Sequence, residues 1–170
     1  MIQNGTLAEA VSSHLKNNDE FRYHLASFLD RFYLERDSLK RRAKLIDEPP
    51  LSGNQQFDAL IGAIGEHLCM RWSLGRAPDW VDHPDRFLKR PLFMGEETMK
   101  AFYMAESPAA YRRRFIFTEL EPLRRARMPK DEMWWYGEQI RTGMTPLPDE
   151  IERSFDTPIL EESGATSHRL

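Results

Sequence analysis

Cysteine is nearly missing from this chain of 170 residues, which contains only Cys69. A single thiol cannot form an intramolecular disulfide, and it cannot supply the paired thiolates of a structural zinc site. Its apolar neighbours predict a buried thiol that packs as a small hydrophobic side chain. A lone cysteine also fits a reducing compartment.

Signals for export and membrane insertion are missing as well. The N-terminal residues have neither the basic nor the apolar region of a signal peptide, and no apolar run approaches the roughly 20 residues that span a bilayer. Hydrophobic residues make up 41% of the sequence and charged residues 30%, a balance typical of soluble globular proteins. We therefore expect a cytoplasmic protein.

Motifs of catalysis and metal binding are also lacking. No two of the five histidines are spaced i, i+3 or i, i+4, so a helical zinc site has no pair of ligands. The chain contains no G-x-S-x-G elbow, no H-E-x-x-H helix and no phosphate-binding glycine loop. The sequence predicts a protein that is not an enzyme and that uses no metal or other cofactor. An active site assembled from residues far apart in the sequence stays open as an alternative.

Helical patterns cover the N-terminal third of the chain. Thr6 and Glu9 have the spacing of a capping box, which predicts the start of a first helix. The next helix has an apolar face formed by Phe21, Leu25, Phe28, Leu29 and Phe32. It can continue to Ile46, where the prolines of "DEPP" stop it.

The longest apolar stretch runs from Phe57 to Leu74 and predicts a central helix. Gly62 and Gly65 lie three residues apart inside it, although glycine costs a helix about 1 kcal/mol relative to alanine. We therefore expect a neighbouring helix to approach closely at these glycines. Gly75 is the expected C-terminal stop.

Shorter and less regular elements follow. Three prolines and scattered aromatic residues between 77 and 93 predict an irregular connection with one helical turn near Pro84. Short helices are expected over 96–105 and 120–127, and a last one within 128–144. The segment Phe115-Ile116-Phe117 has strand propensity, but no partner strand can be identified from the sequence.

The fold class that these patterns predict is all-α. Residues 1–145 are expected to form a compact single-domain helical bundle, and residues 146–170 an acidic tail that is extended or flexible. Nine acidic and three basic residues lie between Asp131 and Leu170, although the whole chain has a net charge of −3. A mildly basic body therefore precedes an acidic C-terminal segment.

Two basic clusters, residues 36–44 and 112–130, support an alternative function as a nucleic-acid-binding transcriptional regulator. Arg36, Lys40 and Lys44 would align at i, i+4, i+8 on a continuous helix and could contact phosphates. Arg124 and Arg125 are the candidates in the second cluster. Nearby acidic residues and the lack of a helix-turn-helix pattern favour the other interpretation, a solvated helix face.

The three consecutive arginines Arg112, Arg113 and Arg114 are the most conspicuous part of the second cluster. Successive residues of a helix cannot share one face, so all three cannot contact the same phosphate. The guanidinium group suits bidentate pairing with carboxylates, either inside one protein or across an interface. The block therefore either pins the fold, binds a protein partner or contacts nucleic acid.

Trp134, Trp135 and Tyr136 form the second candidate for partner binding. Together with Met133 they place large apolar side chains on more than one face of the expected last helix. Aromatic residues and methionine are enriched at protein interfaces. A buried core helix is the alternative explanation.

Several stretches, in this order, resemble a group of small bacterial helical proteins that are often encoded beside a nucleotidyltransferase-like gene, as in toxin–antitoxin pairs. The similarity covers roughly residues 20–127. Its motifs are "FLDRFY" (28–33), "DEPP" (47–50), "AIGEHLCMRWSLGRAPDWVDHPDRFL" (63–88), "RPLF" (90–93) and "AESPAAYRRRFIF" (105–117). Some related proteins carry an N-terminal helix-turn-helix that this chain lacks, which leaves operator binding in doubt.

The resemblance implies an antitoxin-like protein without catalysis of its own. Its partner would be a cognate protein, such as a nucleotidyltransferase-like toxin, whose active site or substrate access it blocks. An acidic C-terminal segment could occupy a cationic site on such a partner by charge mimicry. The net negative charge predicts no general affinity for nucleic acid or for an anionic membrane.

Overall fold

The computed structural model describes residues 5–143, which are mostly helical. They belong to two compact units, one that ends at Pro129 and one that begins at Lys130. The domain boundary expected at residue 145 and the expected tail at 146–170 lie outside the described residues. Within 5–143, no helix has the length and the apolar character needed to cross a membrane.

The described part of the first unit contains six α-helices, three short 3-10 helices and a pair of short strands. The helices are α1 (Leu7–Asn17), α2 (Phe21–Leu34), α3 (Ser38–Ala43), α4 (Gln55–Arg71), α5 (Lys100–Glu106) and α6 (Ala109–Arg112). The 3-10 helices are Asp79–Asp82, Pro84–Arg86 and Glu97–Met99, and the strands are β1 (Leu92–Phe93) and β2 (Ile116–Phe117). The described part of the second unit contains α7 (Glu132–Thr142).

The capping box predicted for α1 is confirmed. Thr6 Oγ1 accepts a hydrogen bond from the Glu9 amide at 3.1 Å, and the Glu9 carboxylate accepts one from the Thr6 amide at 3.1 Å. Asn18 ends the helix in the left-handed conformation, with φ of 53°. Leu7 and Val11 are fully buried where α1 packs against α2.

The continuous helix expected from Phe21 to Ile46 is wrong. Helix α2 ends at Leu34, and α3 begins only after Asp37, whose Oδ1 accepts hydrogen bonds from the amides of Leu39 at 2.8 Å and Lys40 at 3.0 Å. A side-chain carboxylate that binds these free amides stabilises a new helix start. Local capping therefore outweighs the helical propensity of the sequence across this point.

Helix α4 is the central helix, as predicted, and Cys69 is buried on it. The expected close approach at its glycines is confirmed, and the neighbours include the short 3-10 helices Asp79–Asp82 and Pro84–Arg86. A Cβ atom on Gly65 would lie 2.4 Å from the indole ring of Trp80, and one on Gly62 would lie 2.9 Å from Nε of Arg114. The glycines therefore make room for two large side chains. Helix α4 ends at Arg71, before the predicted stop at Gly75.

Strands β1 and β2 form a parallel pair that the all-α prediction does not contain. The Leu92 amide donates to the Phe115 carbonyl at 2.8 Å, and the Met94 amide donates to the Phe117 carbonyl at 2.8 Å. Two residues are too few to show the alternating pattern by which a strand is recognised. The 115–117 segment therefore does form a strand, and its partner β1 lies in the irregular connection.

The helix expected over 120–127 is also wrong, because these residues form turns. Their polar groups are engaged by distant parts of the chain. The Tyr33 hydroxyl donates to the Leu123 carbonyl at 2.8 Å, and Arg71 forms a buried ion pair with Glu121 at 2.7 Å. Tertiary contacts therefore replace the hydrogen bonds of a local helix. The predicted last helix is confirmed as α7.

Candidate functional site

Arg114 is fully buried, two residues after the end of α6. Its Nη2 donates to the carbonyl of Val81 at 2.8 Å, while its Nη1 donates to the carbonyl of Ala110 at 2.7 Å and to the carboxylate of Glu66. Burial lowers the pKa of this guanidinium, and the hydrogen bond to Glu66 opposes the change. The side chain connects three segments of the fold, and in this conformation it has no access to solvent.

Arg113 binds the same glutamate from the surface. Its Nε donates to Glu66 Oε2 at 2.7 Å and its Nη2 to Asp82 Oδ1 at 2.5 Å. The guanidinium groups of Arg113 and Arg114 lie 5.0 and 4.8 Å from the ring centre of Phe87. Internal pairing, one of the interpretations that the sequence left open, therefore accounts for two of the three arginines.

Arg112 differs from the two arginines that follow it. It is exposed, and it forms no ion pair or side-chain hydrogen bond with any residue in 5–143. Its role in partner binding stays a prediction, as does that of Arg113, whose side chain is 40% exposed. The fully buried Arg114 could contribute only by holding its neighbours in place.

Sequence reasoning missed Arg86, a second arginine that is fully buried in the same region. Its Nη2 donates to the carbonyl of Pro49 at 2.5 Å, and its guanidinium lies 4.9 Å from the ring of Trp80. A Cβ atom on Gly62 would lie 3.0 Å from Cβ of Arg86 as well as against Arg114. The two glycines of α4 were the available signal for this packing.

The first basic cluster does not form a stripe on one helix. Arg36 lies in the connection between α2 and α3, Lys40 lies within α3, and Lys44 is its C-terminal cap. The neighbouring Arg42 binds the carbonyls of Leu74 at 2.8 Å and Arg76 at 2.6 Å. Arg36 and Lys40 are exposed, so their contact with nucleic acid stays a prediction. The predicted alignment of these residues on one helix is not present.

The second cluster is partly occupied by internal contacts. Arg125 forms two hydrogen bonds with the carboxylate of Asp30, at 3.0 and 2.8 Å. These bonds are the main reason why the pKa of Asp30 is lowered and that of Arg125 is raised. Arg124 is half-buried beside it. A phosphate would have to compete with Asp30 for Arg125.

The most strongly perturbed titratable groups lie in the core of the first unit. Burial, with a smaller contribution from Arg71, lowers the pKa of His67 to about 4. Burial also raises the pKa of Tyr111, whose ring lies 5.6 Å from that of His67 in an edge-on arrangement. Such values mark either a functional site or a packed interior. Both side chains are enclosed by the fold, which supports the second explanation.

Two shallow grooves lie at the N-terminal end of α4, with volumes of about 280 and 310 Å³. The first is lined by Asp58 and Asp85. The buried carboxylate of Asp58 already accepts hydrogen bonds from the Ser52 amide at 2.8 Å, the Ser52 hydroxyl at 2.9 Å and the Gly53 amide at 3.2 Å. It therefore holds the loop before α4. Among residues 5–143, no group of three or more histidine, cysteine or acidic side chains could hold a metal ion.

Helix α7 exposes large apolar side chains. Asp131 caps its first turn by accepting from the Trp134 amide at 3.0 Å, and Gly143 closes it with φ of 75°. Met133 is 42% exposed and Tyr136 is 39% exposed. Trp134 and Trp135 are half-buried, and their rings meet edge to face with centres 4.7 Å apart.

A second apolar surface lies on α5, none of whose residues is buried. We call it the α5 face. Its side chains are exposed and are spaced three residues apart: Met99, the N-terminal cap of α5, then Phe102 and Ala105. It was not predicted, because short helices with mixed sequences give no clear apolar face.

Comparison with known proteins gives no match, since no family model, no curated protein and no solved structure is significantly similar to this chain. The resemblance to the antitoxin-like group therefore remains a prediction.

Proposed function

We propose that this protein is a non-catalytic, antitoxin-like module that binds a cognate partner enzyme, with a nucleotidyltransferase-like toxin as the expected class. The observation that carries the proposal is the exposure of Met133 and Tyr136 beside the two tryptophans of α7. Exposed aromatic and methionine side chains that lie together are typical of protein-binding surfaces.

The chemistry of the first unit supports a non-catalytic role. Its perturbed histidine and tyrosine are enclosed in the core, and Arg113, Arg114 and Arg125 are bonded to Glu66 and Asp30. Catalysis needs such groups to reach a substrate. These side chains are thus used for packing and internal pairing.

The charge of the C-terminal part of the sequence supports a cationic partner. Nine acidic and three basic residues lie between Asp131 and Leu170. An enzyme that binds nucleotides or nucleic acid has a positively charged site, to which an acidic segment is attracted. The aromatic side chains of α7 would then supply the short-range contacts.

Co-expression with the protein encoded beside it, followed by co-purification, tests the proposal. We expect the two proteins to elute as one complex, because the aromatic side chains of α7 become buried on binding. Tyr136→Ala should weaken the complex at least about tenfold, as expected for a central aromatic contact. Tyr23→Ala is the matched control, since Tyr23 is 52% exposed on α2. Equal affinity of the two variants would contradict the role of α7.

A further inference from the structure

The α5 face is apolar at its centre and acidic at both ends. Two hydrogen bonds tie this region to neighbouring segments: the Tyr103 hydroxyl accepts from the Glu96 amide at 3.4 Å, and the hydroxyl of Ser107, the C-terminal cap of α5, accepts from the Thr118 amide at 2.8 Å. The apolar side chains of the α5 face are left in solvent, with Met99 38% exposed and Phe102 40% exposed.

Two carboxylates lie together at the C-terminal end of α5. The contact between Ser107 and Thr118 brings their neighbours Glu106 and Glu119 close to each other. Burial and the charge of Glu119 both raise the pKa of Glu106. Neither carboxylate forms an ion pair with a residue in 5–143. A cation from outside would relieve their repulsion.

The other end of the helix is also acidic. Glu96 and Glu97 are exposed there, and Lys100, the only basic residue from 96 to 106, pairs with Glu97. A second copy of this chain would bring acidic ends against acidic ends. Nucleic acid and anionic membranes would be repelled in the same way.

We propose that the α5 face binds a basic amphipathic segment of the cognate partner, whose apolar side chains contact Met99 and Phe102 and whose lysine or arginine side chains pair with Glu106 and Glu119. This inference rests on the proposed function, because it specifies the chemistry of the partner. Helices with one apolar and one basic face bind protein grooves in this way. Methionine adapts its shape to such ligands.

The test uses the full chain and two synthetic peptides with leucine at helical spacing. One peptide carries lysine at its polar positions and the other carries glutamate. We expect only the lysine peptide to bind in isothermal titration calorimetry. The acidic C-terminal residues attract any cation, so the variants decide the outcome. Phe102→Ser and the pair Glu106→Lys with Glu119→Lys should each weaken binding at least about fivefold.

Two matched controls separate the α5 face from the general surface. Leu39→Ser removes an apolar side chain that is 79% exposed on α3, and the pair Asp79→Lys with Asp85→Lys reverses two carboxylates that are 91% and 68% exposed, which changes the net charge as much as the α5 pair does. Both controls should bind the lysine peptide like the wild type. Binding that is unchanged in the α5 variants, or that falls equally in the controls, overturns the inference.

Light scattering measures the oligomeric state and so tests the alternative that a second copy of this chain covers the α5 face. A wild-type dimer that Phe102→Ser converts to monomer would show that a second copy covers this face, and it would also overturn the inference. Failure of the α5 inference can be distinguished from failure of the proposed function. If the α5 variants still co-purify with the partner and Tyr136→Ala does not, partner binding stands and only the α5 inference is wrong.

Discussion

Arg114 donates a hydrogen bond to Glu66 from a position that solvent does not reach. The same carboxylate accepts from Arg113 at 2.7 Å, so one glutamate of the central helix holds two successive arginines. Two arginines of the basic block at 112–114 therefore stabilise the first unit. Arg112 and the partly exposed Arg113 remain accessible to a partner, but the large apolar surfaces lie on α7 and α5, which is why these helices carry the functional proposals.

Replacement of Arg114 tests the structural role of the arginine block. Arg114→Met should lower the free energy of unfolding by about 3–5 kcal/mol, because it removes the buried partner of Glu66 and the donors to two carbonyls. Arg112→Met is the matched control and should change stability by less than about 0.5 kcal/mol, since Arg112 is exposed. Urea unfolding measures both. Equal stability of the two variants would refute the account of Arg114.

Substitution of Gly62 tests the packing of the buried arginines. Alanine normally stabilises a helix by about 1 kcal/mol relative to glycine. Here its Cβ atom would lie 2.9 Å from Arg114 Nε and 3.0 Å from Arg86 Cβ, so Gly62→Ala should be destabilising. The substitution Ser12→Ala, at an exposed position of α1, should leave the melting temperature nearly unchanged. A higher melting temperature for Gly62→Ala would show that the arginines can move aside.

The pKa of His67 predicts how stability depends on pH. Its value is lowered from 6.5 to about 4 in the folded protein, so the unfolded chain binds the proton more tightly. The stabilisation is therefore complete above about pH 6.5 and is lost as the pH falls toward 4. His67→Asn should flatten this part of the stability profile. NMR titration of His67 with a midpoint near 6.5 would contradict the prediction.

Salt dependence distinguishes partner binding from nucleic-acid binding. If Arg36 and Lys40 contact phosphates, the affinity for duplex DNA should fall steeply with salt, and Lys40→Ala should reduce the slope by about one. We expect instead weak binding that does not depend on these residues, because the helix that would align them is broken at Asp37. Fluorescence anisotropy at several salt concentrations measures the slope. A steep slope that Lys40→Ala reduces would favour the regulator.

The sequence predicted elements whose signal is local. The capping box at Thr6, the central helix α4 and the last helix α7 follow from residues close together in the chain. The break at Asp37 is also local, but the helical propensity of the sequence across it favoured one long helix. The parallel strands and the turns over 120–127 depend on distant partners, which no sequence window contains.

The candidate residues also divide into those with a local signal and those whose contacts depend on distant parts of the chain. Carboxylates were expected to pair with the arginine block, but the sequence could not select Glu66, which lies 48 positions away from Arg114. Arg86 carried no motif and was missed. The sequence predicted correctly that the large aromatic residues of α7 lie on a helix. Their contact with a partner stays a prediction, because only a complex can test it.

Titration of the purified protein with the protein encoded beside it is the most direct test of the proposed function. Isothermal titration calorimetry should give a one-to-one complex with a Kd on the order of micromolar or tighter, about −8 kcal/mol or more favourable. Replacing Trp134 and Trp135 together with alanine should weaken it at least about tenfold. No heat of binding at micromolar concentrations, together with separate elution of the two proteins, would contradict the antitoxin-like function.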